Sequence, residues 1–574
     1  IKMCGVLLHK RKNLIEDEFL RNLKKLSHRG PDGSSYKKFK DLFIGHTRLS
    51  IIDLSENGLQ PMISRCNNFV LSFNGEIYNY KDLKSDLKSK GYNFVSKTDS
   101  EVVLNGFVEY GNKIFKKLQG IFSIIIYDIH QDKIVIARDS FGVKPLYYFI
   151  DKDQIIISSE TKVFYDYCKK DEKSKILFLS HGYIPFPRTN LENVLSFSPG
   201  CFSEIKNQKI ITETFFDLTK SFKKSKSKKF EKKYLFDAVQ NQLMSDAKIG
   251  CFLSGGIDSS ILSFISNSIR KDIETYSINF DQFNDEKKYQ QQIITRYKLK
   301  NKELILKFKD FNNNLNDFLK NMDIPTIDGF NTFFVSKLAK KNNAKVAFSG
   351  IGSDEIFYGY STFKNLSILK FLRNLIHFIP LKILKNKFKK LDYLKLRSDY
   401  GIYLSKRGVF SLTEISKILN IERKLVEKYL NEFIESKSQN LKSLNLVDKM
   451  GYYEISNYME GQLLKDSDVF GMANSIEIRV PFLDDLLVDH VIGIDSNSKI
   501  NSRQNKTILI EPFKNDIPES IYFRKKSGFE LPYRDWLVNK GIKKTILDRH
   551  KKLKFLNKAH WSKIWALHIL DIKY

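Results

Sequence analysis

Cysteine is scarce in this chain: five in 574 residues, at positions 4, 66, 168, 201 and 251. An odd number at wide spacing builds neither a disulfide framework nor a cysteine-based zinc set, so a reducing cytoplasm is the expected setting. No apolar run reaches the ~20 residues that a membrane-crossing helix needs, and residues 4–8 are too short a stretch for a signal-peptide core. The dipeptide Gly-Lys occurs nowhere, which excludes a Walker-type phosphate loop. Acidic residues are outnumbered 66 to 96 by lysine and arginine, giving a net charge of +30. The lysines are spread along the whole chain among abundant Ile, Asn and Phe, as A/T-rich codon usage produces. No zinc-finger, RNA-recognition or helix-turn-helix pattern accompanies them, so solvated lysine faces are expected and no specific nucleic-acid partner.

What is present suits a large enzyme. A hydrophobic content of 42% provides for cores, and 574 residues suggest two or three domains. The seam is charged: after Phe215-Phe216-Asp217 comes Lys223-Lys224-Ser225-Lys226-Ser227-Lys228-Lys229, which cannot bury itself and reads as an exposed linker. It divides the chain into 4–215, a basic linker over 216–233, and 234–574. Before the seam, alternating runs at Ile121 to Tyr127, Ile134 to Ala137 and Ile155 to Ser158 predict strands, with two helical segments. After it, strands alternate with helices, the pattern of an α/β domain. No internal repeat emerges. Leu366 to Phe388 is basic and amphipathic; Pro380 breaks it, and packing on a core is favoured over lying on an anionic membrane.

Cys4 directly follows Met3. A cysteine at an N-terminus carries a free α-amine able to act as its own thiol's base, and a thiolate attacks a carboxamide carbon well. Ile1-Lys2-Met3 would hold that amine in a peptide bond, so Met3 is taken as the start or residues 1–3 as a removable extension. Behind Cys4 come His28-Arg29-Gly30-Pro31-Asp32-Gly33, Arg48-Leu49-Ser50-Ile51, Asn74-Gly75-Glu76-Ile77-Tyr78-Asn79 and Thr98-Asp99-Ser100-Glu101. Asn-Gly is also the commonest two-residue hairpin turn, and that reading stands beside a functional one.

The second half carries another chemistry. Lys248 to Leu253 reads as a buried strand, Ser254-Gly255-Gly256 as a turn, and Asp258-Ser259-Ser260-Ile261-Leu262 opens a helix. A strand, a small-residue turn and a helix N-terminus form an anion site, because backbone N–H groups and the helix dipole face the ligand. A second such unit follows: Val346-Ala347-Phe348, then Ser349-Gly350-Ile351-Gly352-Ser353-Asp354-Glu355. Paired loops of this kind suit an open parallel sheet, whose ligands sit beyond the strand C-termini.

The first set of motifs resembles the glutaminase domain of class II glutamine amidotransferases in its asparagine-synthetase version. The second resembles the pyrophosphate loop, Ser254 to Ser259, of enzymes that split ATP into AMP and pyrophosphate. The match continues through Asp328-Gly329-Phe330-Asn331-Thr332-Phe333-Phe334, Glu477-Ile478-Arg479-Val480-Pro481-Phe482-Leu483-Asp484 and Lys506-Thr507-Ile508-Leu509, ending near Arg524-Lys525-Lys526-Ser527-Gly528-Phe529. The resemblance implies an N-terminal-nucleophile hydrolase sandwich (αββα) followed by a doubly wound parallel-sheet, adenine-nucleotide-hydrolase-like domain with a helical C-terminal part. It implies Cys4 as nucleophile and Asn74 and Gly75 as oxyanion donors. Arg48 would hold the α-carboxylate of glutamine, and Glu76 and Asp99 its α-ammonium. ATP would contact Leu253, Ser254, Gly255, Gly256, Asp258, Ser259, Ile278, Ser349 and Gly350. Asp258 and Asp354 would bind Mg²⁺ on the pyrophosphate, and Lys506 would stabilise charge at the adenylate.

One position departs. The residue after Ser-Gly in the second loop is acidic in well-studied asparagine synthetases and is assigned to acid–base work; here it is Ile351. An aliphatic side chain takes no proton, so that task falls elsewhere or to water and phosphate; either the position tolerates an apolar residue with the reaction unchanged, or the acceptor differs. The implied activity is glutamine-dependent asparagine synthesis from aspartate and ATP. The alternatives are amidation of another carboxylate in polysaccharide or peptide tailoring, a β-lactam-synthetase-like ligase, and a non-catalytic ATP-binding protein. The oligomeric state stays open, with a homodimer among the options.

Overall fold

The computed structural model describes residues 2–50, 56–223, 229–281, 286–376, 386–396, 398–438, 441–500, 505–524 and 532–574. Most of the basic run 223–229, and residues 525–529 of the last motif, lie outside these.

Period-2 alternation builds the first half. In strand Lys2–Arg11, Val6 and Leu8 point into a cluster with Val70, Ile125, Ile134 and Ile136, whereas Leu7 points the other way, towards Phe19 and Leu23 of helix Glu16–Lys24. The strands opposite behave alike. Leu71 and Phe73 of Phe69–Ile77, and Ile124 and Ile126 of Gly120–Asp128, turn from that cluster to meet Leu83, Val102 and Phe107 of helices Tyr80–Ser89 and Asp99–Tyr110. A residue's parity along a strand thus decides which of two apolar layers it enters. The result is helix, sheet, sheet, helix, as expected. Lys2 pairs with Gly75, so the hydrogen-bonded ladders form one continuous 12-stranded set. Among the described residues, four helices of at least eight residues stand where two were expected, Ser174–His181 being one. That last helix is buried on all sides, so its sequence shows no amphipathic stripe.

The segment expected as an exposed linker is partly built in. Leu218–Lys223 forms a helix whose Phe222 is buried and whose Ser221 hydroxyl donates to Asp489 at 2.8 Å. One aromatic among the lysines suffices to anchor it.

The described residues of the second half hold five parallel strands in the order Lys300–Leu306, Glu274–Phe280, Ile249–Phe252, Val346–Phe348, Glu477–Arg479. The chain builds outward from Ile249–Phe252 in one direction, then returns and builds in the other. Such a reversal opens a crevice at the strand C-termini, between Phe252 and Phe348. Helices from Asp399–Arg407 to Trp561–Lys573 make up the C-terminal part. The segment 366–388 starts as helix Leu366–Leu375: Leu366 and Leu369 are buried, while Ile368, Phe371 and Leu375 are exposed. Residues 377–385 of that segment lie outside the described ones.

Buried charge joins the halves. Arg29 pairs with Glu160 at 2.9 Å and Asp468 at 2.7 Å, and Arg138 with Glu460 at 3.1 Å. Arg479 pairs with Glu76 and, at 2.5 Å, with Glu477.

Candidate active site

In the first half, antiparallel register sets Cys4 opposite Arg48. The neighbouring strand Phe69–Ile77 contributes Asn74, Gly75 and Glu76, all in its interior and paired with Gly120–Asp128. Asn74-Gly75 is therefore not a hairpin turn. Gly75 has φ +147°, and a Cβ there would stand 2.0 Å from the carbonyl oxygen of Ile121, so only glycine fits. The Cys4 backbone N–H donates to Asn74 Oδ1 at 3.0 Å. That bond orients the amide and leaves Asn74 Nδ2 buried with no partner among the described residues, a donor pair aimed at nothing protein-derived.

Asp99 heads helix Asp99–Tyr110, and its Oδ2 accepts from the Ile77 N–H at 3.0 Å. This brings it beside Glu76. Glu76 is fully buried: Oε2 accepts from Arg479 Nη2, and Oε1 has no partner among the described residues. Burial raises its pKa well above the carboxylate range; Arg479 opposes the rise, and Glu477 and Asp99 add to it. The Arg29 Nε–H donates to the Cys4 carbonyl at 3.2 Å, fixing the backbone that carries the thiol.

In the second half, Ser254 to Ser259 closes on itself. The Ser254 N–H donates to the Ser259 hydroxyl at 3.2 Å, and the Gly256 N–H to the Ser254 hydroxyl at 3.3 Å. Gly255 takes φ +76°, and helix Ile257–Ile269 begins directly after. Leu253 leads into the loop, its N–H bonded to the Tyr276 carbonyl at 2.9 Å; Ile278 sits buried farther along that strand, Glu274–Phe280. The Ser349-Gly350 loop meets this one, since a Cβ on Gly350 would lie 3.0 Å from that of Asp258.

Lys506 stands at the junction. Its ammonium lies 2.6 and 2.7 Å from the Asp258 oxygens and 2.7 Å from Asp354 Oδ1. Burial alone would lower its pKa, but the two carboxylates outweigh this and raise it. Its backbone is left-handed, at φ +56°, a strain of the kind concentrated at working sites. Asp258 and Asp354 already converge on one cation, so their arrangement fits a divalent ion carried by phosphate oxygens. Ile351 is half-buried. Four residues on, Glu355 is a carboxyl pushed up to about 7 by burial and by Asp354, its Oε1 accepting from the Tyr360 hydroxyl at 2.6 Å.

The structure thus gathers Cys4, Arg48, Asn74, Gly75, Glu76 and Asp99 in one place and Ser254 to Ser259, Ser349, Gly350, Asp354 and Lys506 in another. The motifs alone assign no role to Arg29, Arg479, Glu355 or Tyr360. The first three stand inside the motifs quoted above, and that is the available signal.

Residues 3–216 match the glutamine amidotransferase domain family, and residues 232–571 match the asparagine synthase family. Over 547 residues the chain is 31% identical to the glutamine-hydrolyzing asparagine synthetase 1 of Bacillus subtilis (strain 168), covering 91% of this chain and 85% of that one. It is 26% identical to asparagine synthetase 3 of the same organism, covering 95% and 92%. It is also 24% identical to the amidase chry2 of Gibberella zeae, covering 91% and 86%. Fold and matches define a two-domain glutamine-dependent amidotransferase. The chain belongs to the asparagine synthase family.

Proposed function

We propose that this chain forms an amide from a carboxylate acceptor, using glutamine as nitrogen donor and ATP as activator. The Cys4 thiolate attacks the carboxamide carbon of glutamine, and the oxyanion takes hydrogen bonds from Asn74 Nδ2 and the Gly75 N–H, each donor contributing about 3 kcal/mol. Arg48 holds the α-carboxylate as a planar fork on a planar acid; Glu76 and Asp99 hold the α-ammonium. Ammonia leaves, and water frees glutamate from the thioester. Removal of the residues before Cys4 would turn the atom bonded to Asn74 Oδ1 into an amine placed to take the thiol proton.

At the second centre the acceptor carboxylate attacks the α-phosphorus of ATP, giving an acyl-adenylate and pyrophosphate. The Ser254–Ser259 turn and the helix behind it cradle the departing pyrophosphate, and Lys506 offsets its charge. Asp258 and Asp354 would hold Mg²⁺, which neutralises phosphate charge. Ammonia crosses inside the protein and displaces AMP; the transfer has to be dry because ammonium is no nucleophile. Aspartate, giving asparagine, is the acceptor that the relatives' names favour, and Ile351 in place of an acid favours a different carboxylate.

One observation carries the coupled reading. Glu76, on the glutamine side, is bonded to Arg479, whose own carbonyl accepts from the Ser349 N–H of the nucleotide side at 2.9 Å. The test is Cys4→Ala: glutamine-dependent amide formation should vanish while ammonium-dependent pyrophosphate release persists. Loss of both in folded protein would overturn the two-site reading.

A further inference from the structure

A cavity of about 270 Å³ lies where the two halves meet, linked to the nucleotide side through Tyr360 and Glu355. The intervening wall is short: the Tyr458 ring lies 5.8 Å from that of Tyr360, whose hydroxyl bonds Glu355, the neighbour of Asp354. Four aromatic rings line it: Tyr183, Tyr458, Tyr533 and Trp561, the last two stacked at 4.4 Å. Asp328, Asn331 and Gln462 add hydrogen-bonding groups. The Tyr533 hydroxyl is buried, with no partner among the described residues.

Two backbone features shape the cavity. Tyr458 and Gln462 stand on a π-helical stretch, Glu454–Leu464, a distortion common where a helix serves a site. Gly329, at φ +101°, has the Phe470 ring 2.1 Å from where a Cβ would be, and this close approach fixes Asp328 at the head of helix Phe330–Lys341.

The charge in the cavity is selective. Among the described lining residues the permanent cation is Arg407, already bonded to Glu454 through Nε at 3.1 Å and Nη2 at 2.7 Å. It is also held between the rings of Tyr360 and Tyr458, at 4.1 and 3.8 Å. Lining His181 is kept neutral by burial, its pKa lowered to about 4. Aspartate, presenting its reacting carboxylate to Lys506, would set its α-ammonium where Asp328 can meet it but leave its α-carboxylate in a space with no uncommitted cation among the described lining residues. An unmatched charge there is strongly disfavoured.

We propose that this cavity is the acceptor pocket and that the acceptor is a uronic acid, a monocarboxylate on a neutral hydroxylated ring. Aromatic faces pack against the C–H face of such a ring, while Asp328, Asn331 and Gln462 serve its hydroxyls. At about 30 Å³ per water the cavity holds the volume of roughly nine waters, room for a six-membered sugar ring beyond what a four-carbon amino acid fills. The inference rests on the ligase reading above.

The experiment measures acceptor-dependent pyrophosphate release by the whole chain with D-glucuronate, D-galacturonate, a digalacturonate and L-aspartate. In parallel, calorimetry follows binding of the same compounds. The expected result is a kcat/KM at least tenfold higher for a uronate than for aspartate; the digalacturonate arm separates a free sugar acid from a residue of a saccharide chain. Asp328→Asn and Trp561→Ala should each raise the uronate KM at least tenfold, with glutamine hydrolysis on the same samples reporting folding. Aspartate used as well as or better than the uronates, no uronate binding, or a KM within twofold of the parent in both variants would overturn the proposal. Uronate binding without any pyrophosphate release would instead sink the ligase reading and leave the pocket standing.

Discussion

Glu76→Gln separates substrate recognition from architecture. The wild-type carboxylate has one oxygen on Arg479 and the other buried without a partner among the described residues. If that second oxygen receives the α-ammonium of glutamine, the amide loses a charge-assisted hydrogen bond, about 1.5–3 kcal/mol. At 1.4 kcal/mol per tenfold, kcat/KM for glutamine hydrolysis should fall by about 10- to 150-fold, mostly through KM. Architecture should suffer less. Arg479 keeps Glu477, and its Nη1 still donates to the Gln242 and Met244 carbonyls, the latter at 2.7 Å. The loss in unfolding free energy should then stay below the ~3–5 kcal/mol of a stranded buried charge.

The pH profile adds a sign. Burial raises the Glu76 pKa, so the wild-type carboxyl is protonated at low pH and ionises as pH rises through that raised value. An ammonium needs the ionised form, so the glutamine KM should fall across that rise, and Glu76→Gln should flatten the slope. Steady-state kinetics from pH 5 to 9, with urea unfolding alongside, decide it. A glutamine KM within twofold of wild type, with stability alone reduced, would show that Glu76 serves only as Arg479's partner.

Asn74→Asp keeps the acceptor for the Cys4 N–H and removes the orphan donor, so the glutaminase kcat should fall about 10²–10³-fold with little change in KM; stopped assays of glutamate release check this. Lys506→Met retains the side chain's length but strips the cation from between Asp258 and Asp354. Pyrophosphate release should be lost, and stability should fall by about 3 kcal/mol in metal-free buffer and recover partly with millimolar Mg²⁺; recovery absent in thermal melts would mean the carboxylates do not share one cation site. Glu355, pushed up to about 7 by burial and Asp354, is ionised only above that pH. If it accepts the proton that Ile351 cannot, the amidation rate should climb through pH 7, and Glu355→Gln should remove that limb.

What could be read from the sequence followed its local codes. The strands at Gly120–Asp128, Lys133–Arg138 and Val346–Phe348, and the helix after Gly256, fall where alternation and small-residue turns put them. Asn74-Gly75 shows the limit of a local code: the dipeptide signals a turn, yet flanking apolar residues on both faces extend the strand through it. Glu76 and Arg479 are 403 positions apart, and no periodicity links them. The cavity draws on segments from His181 to Trp561, so neither its shape nor its charge exists before the halves dock. Leu366–Leu375 was expected to pack on the core, and it does so through one face only. A moment measures how apolar residues cluster around a helix, not whether a partner covers them.

The buried bridges between the halves are reciprocal. Arg29 and Arg138 of the first half meet Asp468 and Glu460 of the second, and Arg479 of the second meets Glu76 of the first. Buried ion pairs add little net stability, but stranding one partner is costly, so either half alone would carry charges it cannot match. Docking is thereby specified at several separated points, and sliding the halves by one residue would break them all. Arginine suits this layer for a second reason. A guanidinium keeps its proton at any working pH, so it balances a carboxylate without being an acid that could protonate ammonia. On the coupled reading, nitrogen must pass from Cys4 to the adenylate as a neutral molecule. A seam locked by arginine fixes the relative position of the two centres without the guanidinium groups themselves adding an acid to that path.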